Sequence, residues 1–276
     1  MILVDVHVHV YPPEVVRGAE EIGRREGYFA LLTSSSVHRF ASAEEVVSYV
    51  RSSSLSRAFV FGFAFRDQGL CRLCNDYVAQ AASLHPELVP LAVVNPLARG
   101  ALAEIERCRE MGFRGVGELF PDGQGFDVSD LRQTFRWAGA LEEMGMFLLL
   151  HASEPAGHSY PGKGSTTPDK AFAFAKNHPG LTVVWAHLGG GLFLYEGMPE
   201  ARRFLGRSYY DTAASVFLYD GEVLESALRL APGKVLFGSD FPIADLGRFR
   251  SRYGEGLLRE LLDPSRAGTF LASAGL

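Results

Sequence analysis

The sequence predicts an α/β protein, a single (β/α)₈ TIM barrel with an insertion after its first strand. Eight short segments rich in Val, Ile, Phe and Tyr recur along the chain, and stretches with helical periodicity separate most of them. This alternation is typical of βαβ units in a parallel sheet, and eight such strands close a barrel. The chain has 276 residues, close to the ~250 of one such barrel. We therefore expect one domain over residues 1–276.

Most of the predicted strands are near-continuous apolar runs such as Phe147–Leu150. Such runs are expected where helices cover one face of a strand and the barrel core covers the other. Helices between the strands begin at capping or acidic residues near Ser42, Asp130 and Pro168, and Gly145 is placed to end one of them. The predicted strands span residues 2–10, 58–65, 88–95, 113–120, 146–152, 181–187, 207–214 and 234–240.

Two long stretches lie outside this repeat. Residues 11–40 follow the first strand, and residues 153–167 follow the fifth. Both come after strand ends on the face where barrel enzymes place their chemistry, so we expect substrate-binding loops or lids. Surface insertions without a role are the alternative.

The composition limits the possible partners. A formal charge of −5 and a pI near 5.9 provide no basic field to attract nucleic acid. No apolar run approaches the ~18 residues of a membrane span, and the first residues lack the basic segment and cleavage site of a secretory signal. Cys71, Cys74 and Cys108 form no disulfide framework. We expect a cytoplasmic protein that binds a small molecule.

The first strand carries two histidines with the spacing of metal ligands. In Asp5-Val-His7-Val-His9, the histidines are two residues apart and point to the same face of a strand. We expect His7 and His9 to point into the barrel and the intervening valines to point outward. Two buried imidazoles need partners, and one metal ion would serve both. Taken alone, this motif is weak evidence.

Three further ligand-type residues end predicted strands. His151 ends the fifth strand, His187 ends the sixth and Asp240 ends the eighth. The carboxyl ends of barrel strands meet on one face, where barrel enzymes place catalytic groups. We therefore expect these residues to meet His7 and His9 at one rim. Unrelated core residues are the alternative, although buried imidazoles and carboxylates need partners.

This set resembles the amidohydrolase superfamily, which has H-x-H on the first strand, a histidine ending the fifth and the sixth, and an aspartate ending the eighth. Two local stretches, Trp-Ala-His187-Leu-Gly-Gly-Gly and Phe-Gly-Ser-Asp240-Phe-Pro, narrow the resemblance. They are similar to the branch called amidohydrolase family 2, which includes aminocarboxymuconate-semialdehyde decarboxylase and related hydrolases. The resemblance extends from the first strand to the eighth, and it also implies a homodimer.

The resemblance implies one metal ion with water in an open position. Zn²⁺ suits imidazole and carboxylate ligands, and so do Mn²⁺ and Fe²⁺. Such an ion lowers the pKa of bound water from about 15.7 toward ~7. His187 would act on that water or on the substrate, because a neutral imidazole can take or relay a proton. The implied ligands are His7, His9, His151 and Asp240.

The fourth strand departs from the superfamily pattern. Many members bridge two ions with a carbamylated lysine there, whereas this chain has Glu118 in Gly-Val-Gly-Glu-Leu-Phe. By resemblance to TatD-like deoxyribonucleases, Glu118 could bridge a second ion held by His151 and His187. Alternatively, Glu118 orients the substrate or a ligand, as outer carboxylates commonly do. We favour one ion over two, and the chain lacks the Glu-Thr-Asp motif of the TatD-like group.

Polar residues after other strands are candidates for substrate binding. An arginine at a barrel mouth would bind a substrate carboxylate through its planar fork. Solvated loop residues are the alternative, because pockets contain only a few placed polar groups. The candidates are Arg66, Asn95, Glu154 and His158.

These observations predict a metal-dependent hydrolase that uses metal-activated water on an ester, lactone or amide of a small carboxylated molecule. His187 would move the proton, and Asp240 would orient the hydroxide. One alternative is a metal-dependent non-oxidative decarboxylase of an aromatic or unsaturated carboxylate, which needs nearly the same site. The others are a TatD-like nuclease, which the acidic balance disfavours, and a non-catalytic metal-binding protein.

Overall fold

Eight parallel strands, each hydrogen-bonded to the next in chain order, form a barrel in the computed structural model, which describes residues 3–274. The strands are β1 (Val4–His9), β2 (Arg57–Phe61), β3 (Leu88–Ala92), β4 (Gly115–Leu119), β5 (Phe147–Leu150), β6 (Val183–Trp185), β7 (Ser208–Asp211) and β8 (Val235–Leu236). The segment after β8 joins β1, because Val6 N donates to Phe237 O at 2.9 Å. Asp240 N donates to His7 O at 3.0 Å. The predicted (β/α)₈ barrel is confirmed.

The observed strands are shorter than predicted at their carboxyl ends. β6 ends at Trp185 and β8 at Leu236, whereas the predicted strands continue to 187 and 240. The reason lies in the backbone: φ is 57° at His187 and 67° at Asp240, a left-handed conformation that strands do not adopt. These site residues therefore lie in the loops that follow the strands. Residue 2 of the predicted first strand lies outside the described residues.

Helices surround the barrel, and local sequence signals set their ends. Ser42 begins a helix with a capping box, in which its hydroxyl accepts from Glu45 N and the Glu45 carboxylate accepts from Ser42 N. Gly145 ends another helix at φ 66°, a conformation that favours glycine. The helices span Pro13–Arg17, Ala19–Gly23, Gly27–Thr33, Ala43–Ser52, Gln68–Leu84, Ala101–Glu110, Pro121–Gln124, Leu131–Met144, Pro168–Asn177, Pro199–Arg202, Ser215–Leu218, Gly221–Leu230, Leu246–Leu261 and Pro264–Ser273, with 3₁₀ turns over His187–Gly197. Among the described helices, none combines the length and apolar character that crossing a membrane requires.

The alternation of side chains between the two faces of β1 is interrupted part-way along the strand. Its pairing register with β2 shifts between Asp5 and Val8. Val8 belongs to the apolar cluster that includes Val46 of a surrounding helix, as predicted. Val6 belongs instead to the apolar cluster that includes Phe61 of β2. The prediction that Val6 points outward is wrong, because the irregularity reverses the alternation ahead of His7.

Aromatic rings close the amino-terminal end of the barrel. Phe270, on the last helix, is fully buried. Its ring centroid lies 5.9 Å from that of Phe59, 5.0 Å from that of Phe147 and 5.3 Å from that of Tyr209. Phe147 begins β5, Tyr209 is the second residue of β7, and Phe59 is the third residue of β2. Any site inside the barrel is therefore approached from the carboxyl-terminal end.

Candidate active site

Six ligand-type side chains meet at the carboxyl-terminal end of the barrel. They form two groups, and the ligand atoms within each group lie within 4.8 Å of one another. The five residues that the sequence assigns to one rim therefore do come together, and Glu118 joins them. One group is His7, His9 and Asp240, and the other is Glu118, His151 and His187.

A buried carboxylate holds His7 in place. The Nδ1 of His7 donates to Asp211 Oδ2 at 2.8 Å, and both side chains are fully buried. The Nε2 of His7 has no hydrogen-bond partner among the described residues. A buried polar atom normally has a partner, and a carboxylate behind a histidine is the usual support of a metal ligand. His7 is therefore oriented to offer Nε2 to a cation.

Two carboxylates face the first pair of histidines at the spacing of metal ligands. Asp240 Oδ1 lies 3.7 Å from His7 Nε2 and 3.3 Å from His9 Nε2. Glu118 Oε2 lies 3.6 Å from His7 Nε2 and 3.7 Å from His9 Nε2. Atoms bound at ~2.0–2.2 Å to one ion are about 3.3–3.6 Å apart in tetrahedral geometry. The four side chains therefore enclose a space that fits a divalent ion.

The second oxygen of Glu118 faces another pair of histidines. Glu118 Oε1 lies 2.9 Å from His151 Nδ1 and 3.4 Å from His187 Nε2, and these two nitrogens are 3.1 Å apart. The Nδ1 of His187 donates to Ala213 O at 2.8 Å. Nε2 is therefore the atom of His187 that faces the cluster, where it can exchange a proton or bind a cation. The predicted ligand His151 lies apart from His7, His9 and Asp240, because it contacts the other oxygen of Glu118.

The histidines and carboxylates of the site shift one another's pKa. Burial favours neutral His7, but the Asp211 and Glu118 carboxylates outweigh it and hold the pKa of His7 well above its ordinary value. Burial also favours neutral His187, but Glu118 raises its pKa to about 9. Burial disfavours ionised Glu118, yet His7 and His151 keep its pKa well below the usual range. The cluster therefore retains positive charge strongly, whether as protons or as a metal ion.

The loop after β6 is a left-handed turn. Consecutive residues from His187 to Gly191 all have φ between 56° and 105°. Three of them are glycines, which adopt this conformation readily. At Gly190 a side chain would also meet the loop after β5, because its Cβ would lie 2.4 Å from Ser153 O. The turn therefore packs tightly against the loop after β5 and fixes the position of His187.

Asp211 is a site residue that was not predicted from the sequence. It is fully buried, and its Oδ2 accepts from His7 Nδ1. Its Oδ1 accepts from His187 N and Ala213 N, both at 3.0 Å. Asp211 thus links a candidate ligand on β1 to the loop that carries His187. The signal was present, because Asp211 ends β7 just as Asp240 was expected to end β8.

Asp5 joins the first strand to the loop that carries Asp240. Its Oδ1 accepts from His7 N at 3.1 Å and from Ser239 N at 3.0 Å, and its Oδ2 accepts from Tyr49 OH at 2.8 Å. Burial raises the pKa of Asp5 to about 6, although these hydrogen bonds favour the ionised form. Asp5 therefore positions the site without facing it.

A cavity of about 250 Å³ opens onto the cluster. Both long loops line it. The insertion over residues 11–40 forms three short helices and contributes Phe29 and Leu32, and the loop over 153–167 contributes Tyr160. The two stretches expected to be substrate loops thus form walls of this cavity.

Of the substrate-binding candidates, only His158 lines the cavity. The side chain of Arg66 is exposed, in the turn before the helix Gln68–Leu84. Asn95 Nδ2 donates to Arg66 O at 2.9 Å, and Glu154 Oε2 accepts from Tyr160 OH at 3.0 Å. The structure does not bring Arg66, Asn95 or Glu154 to the cavity, because loop contacts and solvent surround these three side chains instead.

Comparison with known families fits this geometry. The model of the family described as Amidohydrolase (Amidohydro_2) matches residues 4–267. The chain belongs to this amidohydrolase family. The resemblance drawn from the sequence motifs is therefore confirmed, and the protein is an enzyme of the amidohydrolase superfamily.

Proteins that are similar to this chain include decarboxylases. The chain is 25% identical over 280 residues to 6-methylsalicylic acid decarboxylase of Penicillium expansum, covering 88% of this chain and 86% of the relative. A 5-carboxyvanillate decarboxylase from Sphingomonas paucimobilis has a similar fold, with a TM-score of 0.75, 15% identity and 99% of each chain covered. Another, from Novosphingobium aromaticivorans, was solved with manganese and 4-hydroxy-3-methoxy-5-nitrobenzoic acid. Its TM-score is 0.73 at 14% identity, with 100% of this chain and 96% of that chain covered.

Proposed function

We propose that this protein is a metal-dependent, non-oxidative decarboxylase of a small aromatic or unsaturated carboxylate. The observation that carries the proposal is the cavity, whose walls include Phe29, Phe63 and Phe120 and whose inner end is the histidine and carboxylate cluster. A flat acid fits there with its ring against apolar walls and its carboxylate at the cluster. The likeness to 6-methylsalicylic acid decarboxylase supports this choice over hydrolysis.

We propose that one divalent ion binds between His7, His9 and Asp240, with Glu118 Oε2 beside it. The buried, unpartnered Nε2 of His7 and the separations of 3.3–3.7 Å support this position. Zn²⁺, Mn²⁺ and Fe²⁺ all suit two imidazoles with carboxylates. Mn²⁺ is the first to test, because manganese is bound in a decarboxylase of the same fold. Such an ion would bind the carboxylate of the substrate and hold it in place beside the cluster.

His187 is proposed to supply the proton of the reaction. Loss of CO₂ breaks the bond between the ring carbon and the carboxylate and leaves the electron pair on that carbon, which must take up one proton. The Nε2 of His187 faces the cluster, while Nδ1 is bound to Ala213 O. A pKa of about 9 keeps His187 protonated at neutral pH before an ion binds. Asp240 would then orient the acid rather than a hydroxide.

A two-ion hydrolase is the second candidate, and one specific observation favours it. Glu118 directs one oxygen at the histidines of β1 and the other at His151 and His187. A carboxylate placed in this way can bridge two ions, which then activate a water molecule between them. Two bound ions would take His187 out of proton transfer. The number of ions therefore separates the two candidates.

The decisive experiment combines a metal count with product analysis. Metal-free enzyme is loaded with Mn²⁺ or Zn²⁺, incubated with 2-hydroxy-6-methylbenzoate and other hydroxybenzoates, and assayed for CO₂ and the matching phenol. We expect CO₂ release with one ion per chain, and the same result from the His85→Ala variant, whose histidine lies in a distant turn. Hydrolysis of esters or lactones by a two-ion enzyme that releases no CO₂ would establish the second candidate instead.

A homodimer and a cytoplasmic location remain proposals that rest on the resemblance and on the sequence. Light scattering of the purified enzyme tests the first, with a mass near twice 30.2 kDa expected.

The nuclease alternative is not supported, because none of the described side chains that line the cavity is Lys or Arg, and phosphate backbones are held mainly by such groups.

A further inference from the structure

The walls of the cavity lack fixed positive charge. Among the described residues that line it, none is Lys or Arg, while Glu118 and Asp240 lie at its inner end. A buried carboxylate that leaves water without a cation or enough hydrogen-bond donors is strongly disfavoured. An anionic group of the substrate is therefore expected at the inner end of the cavity, where the metal position and His187 lie.

The cations nearest in sequence to the walls are engaged elsewhere. Arg39 follows the lining residue His38, but its Nη1 donates to Ser36 O at 2.9 Å and to His38 O at 2.6 Å. Lys163 follows the lining residue Gly162, but its Nζ donates to the carbonyls of residues 156 and 158. Lys163 also lies 3.6 Å from the Glu154 carboxylate. Neither side chain is free to neutralise a substrate anion in the cavity.

The histidine that the insertion contributes to the wall is neutral at physiological pH. Burial is the main cause that lowers the pKa of His38 to about 4, and the charges of His9 and Arg39 contribute to this shift. The other histidine from the loops, His158, is exposed, where solvent would weaken any charge that it carries. The walls can therefore donate single hydrogen bonds to a substrate, but they do not attract a second carboxylate.

Aromatic side chains from separate parts of the barrel contribute to the remaining lining. Tyr11 follows β1, Phe29 lies in the insertion, Phe63 follows β2, Phe120 follows β4 and Phe217 follows β7. Ring faces and edges on several sides suit a flat ring. The cavity, at about 250 Å³, is smaller than the ~300–1,000 Å³ typical of drug-sized ligands. One substituted ring is therefore the expected occupant.

We infer that the cavity selects an aromatic acid with a single carboxylate and uncharged ring substituents, and that it excludes dicarboxylates of the same shape. This inference rests on the proposed function, in that the substrate is taken to be a carboxylate held at the metal position. The wall side chains, Leu32 among them, set the selectivity by giving a second anion no cationic partner.

A matched pair of ligands tests this inference by binding alone. 2-Hydroxy-5-nitrobenzoate and 4-hydroxybenzene-1,3-dicarboxylate place a nitro group and a carboxylate at the same ring position, so they differ in charge and hardly in shape. Calorimetry on the Mn²⁺-loaded enzyme should give at least ~100-fold tighter binding of the nitro compound, the discrimination expected when a site leaves a buried charge unpaired. Equal affinities would overturn the inference.

Two neighbouring leucines provide the variants. Leu32 lines the cavity and lies against Gly162, whereas Leu31, on the same helix, is 45% exposed. Leu32→Arg should narrow the preference for the nitro compound by at least ~10-fold, because a guanidinium can pair with the second carboxylate. Leu31→Arg adds the same charge outside the cavity and Leu32→Met changes the wall without charge, so neither should alter the ratio. An equal shift in all three variants would contradict the inference.

The outcomes separate this inference from the proposed function. If the enzyme releases CO₂ from both ligand classes with similar kcat/KM, it is a decarboxylase, and the inferred selectivity is wrong. If the nitro compound binds far more tightly but no monocarboxylate loses CO₂, the selectivity stands and the decarboxylase proposal fails. The wild-type binding ratio decides the inference even if Leu32→Arg does not fold.

Discussion

The two ends of the barrel are formed by the same eight strands, yet they differ in chemistry. At the amino-terminal end, Phe270 packs among Phe59, Phe147 and Tyr209, and apolar contacts dominate. At the carboxyl-terminal end, histidines and carboxylates are buried together, and the Nε2 of His7 has no hydrogen-bond partner within the described part of the chain. One end is packed for stability, and the other retains polar groups that folding alone would not favour.

This difference extends to the backbone. Of the five described non-glycine residues with positive φ, four lie at the carboxyl-terminal end and one, Ser54, precedes β2. Non-glycine residues rarely adopt this conformation, which is frequent at functional sites. The four are His187, Leu188, Ala214 and Asp240. Substitutions at the two ends should therefore affect different properties of the protein. The amino-terminal end should control the free energy of unfolding, and the carboxyl-terminal end should control metal binding and turnover.

The largest effect is expected from Asp240→Ala. Loss of this carboxylate removes one side of the proposed ion site. Metal affinity and kcat/KM should therefore each fall by more than ~100-fold, because the loss of a residue that only hydrogen-bonds to a metal ligand already costs up to ~100-fold. The free energy of unfolding of the metal-free protein should also fall, because ionised Asp240 pairs with His9 and its pKa lies below the usual range. Metal analysis, steady-state kinetics and urea unfolding measure the three quantities.

The control for Asp240→Ala is His85→Ala, which should retain both metal and activity. An Asp240→Ala protein that binds metal and turns over normally would show that the carboxyl-terminal cluster is not the centre of the chemistry.

Phe270→Ala should have a different profile. Removing a fully buried aromatic ring leaves a cavity and should lower the free energy of unfolding by about 3–5 kcal/mol. Because the ring lies at the far end of the barrel, kcat and metal content of the folded protein should stay near those of the wild type. A Phe270→Ala protein that loses metal but keeps its free energy of unfolding would contradict the claim that the amino-terminal end controls stability and the carboxyl-terminal end controls metal binding.

Asp211→Asn should weaken metal binding by about 10–100-fold, as is usual when the carboxylate behind a metal-binding histidine is lost. The amide keeps the shape of the side chain but removes the charge that orients His7. Competition with a chelator measures the affinity. Asp130→Asn makes the same change at a remote helix cap and should leave metal affinity unchanged. An unaltered affinity in Asp211→Asn would mean that His7 is positioned without it.

The smallest effect concerns pH. The pKa of His7 is held well above its ordinary value, so a proton occupies the metal-free site at neutral pH and an incoming ion must displace it. Metal affinity should therefore rise with pH, by about tenfold per unit for each proton released, throughout the range below the pKa of His7. Calorimetry in buffers of different ionisation enthalpy counts these protons. Affinity that is independent of pH from 6 to 8 would contradict this account.

The sequence predicted the fold and the rim because both follow local rules. Apolar runs separated by capped helices specify strands and helices, and parallel strands bring their carboxyl ends to one face. Residues as distant in the chain as His7 and Asp240 could therefore be placed together. The same rule applies to Asp211, because it ends β7 on the face where His187 and Asp240 lie.

Other features depend on tertiary contacts that no local pattern encodes. The side of β1 on which Val6 lies depends on a register shift in that strand. The separation of the ligand-type residues into two groups depends on which oxygen of Glu118 contacts His151. The insertion is tied down by the buried carboxylate of Glu26, which accepts from the backbone nitrogens of Arg66 and Asp67. Arg66 was predicted to bind substrate through its side chain, yet its backbone is what helps hold a wall of the cavity.

The most direct test is a crystal structure of the Mn²⁺- or Zn²⁺-loaded enzyme, with anomalous diffraction data collected at the absorption edge of the metal. The account predicts a peak between His7 Nε2, His9 Nε2 and Asp240 Oδ1, within ~2.0–2.3 Å of each atom. A metal peak elsewhere in the molecule, or none at this position in a fully active crystal, would contradict it.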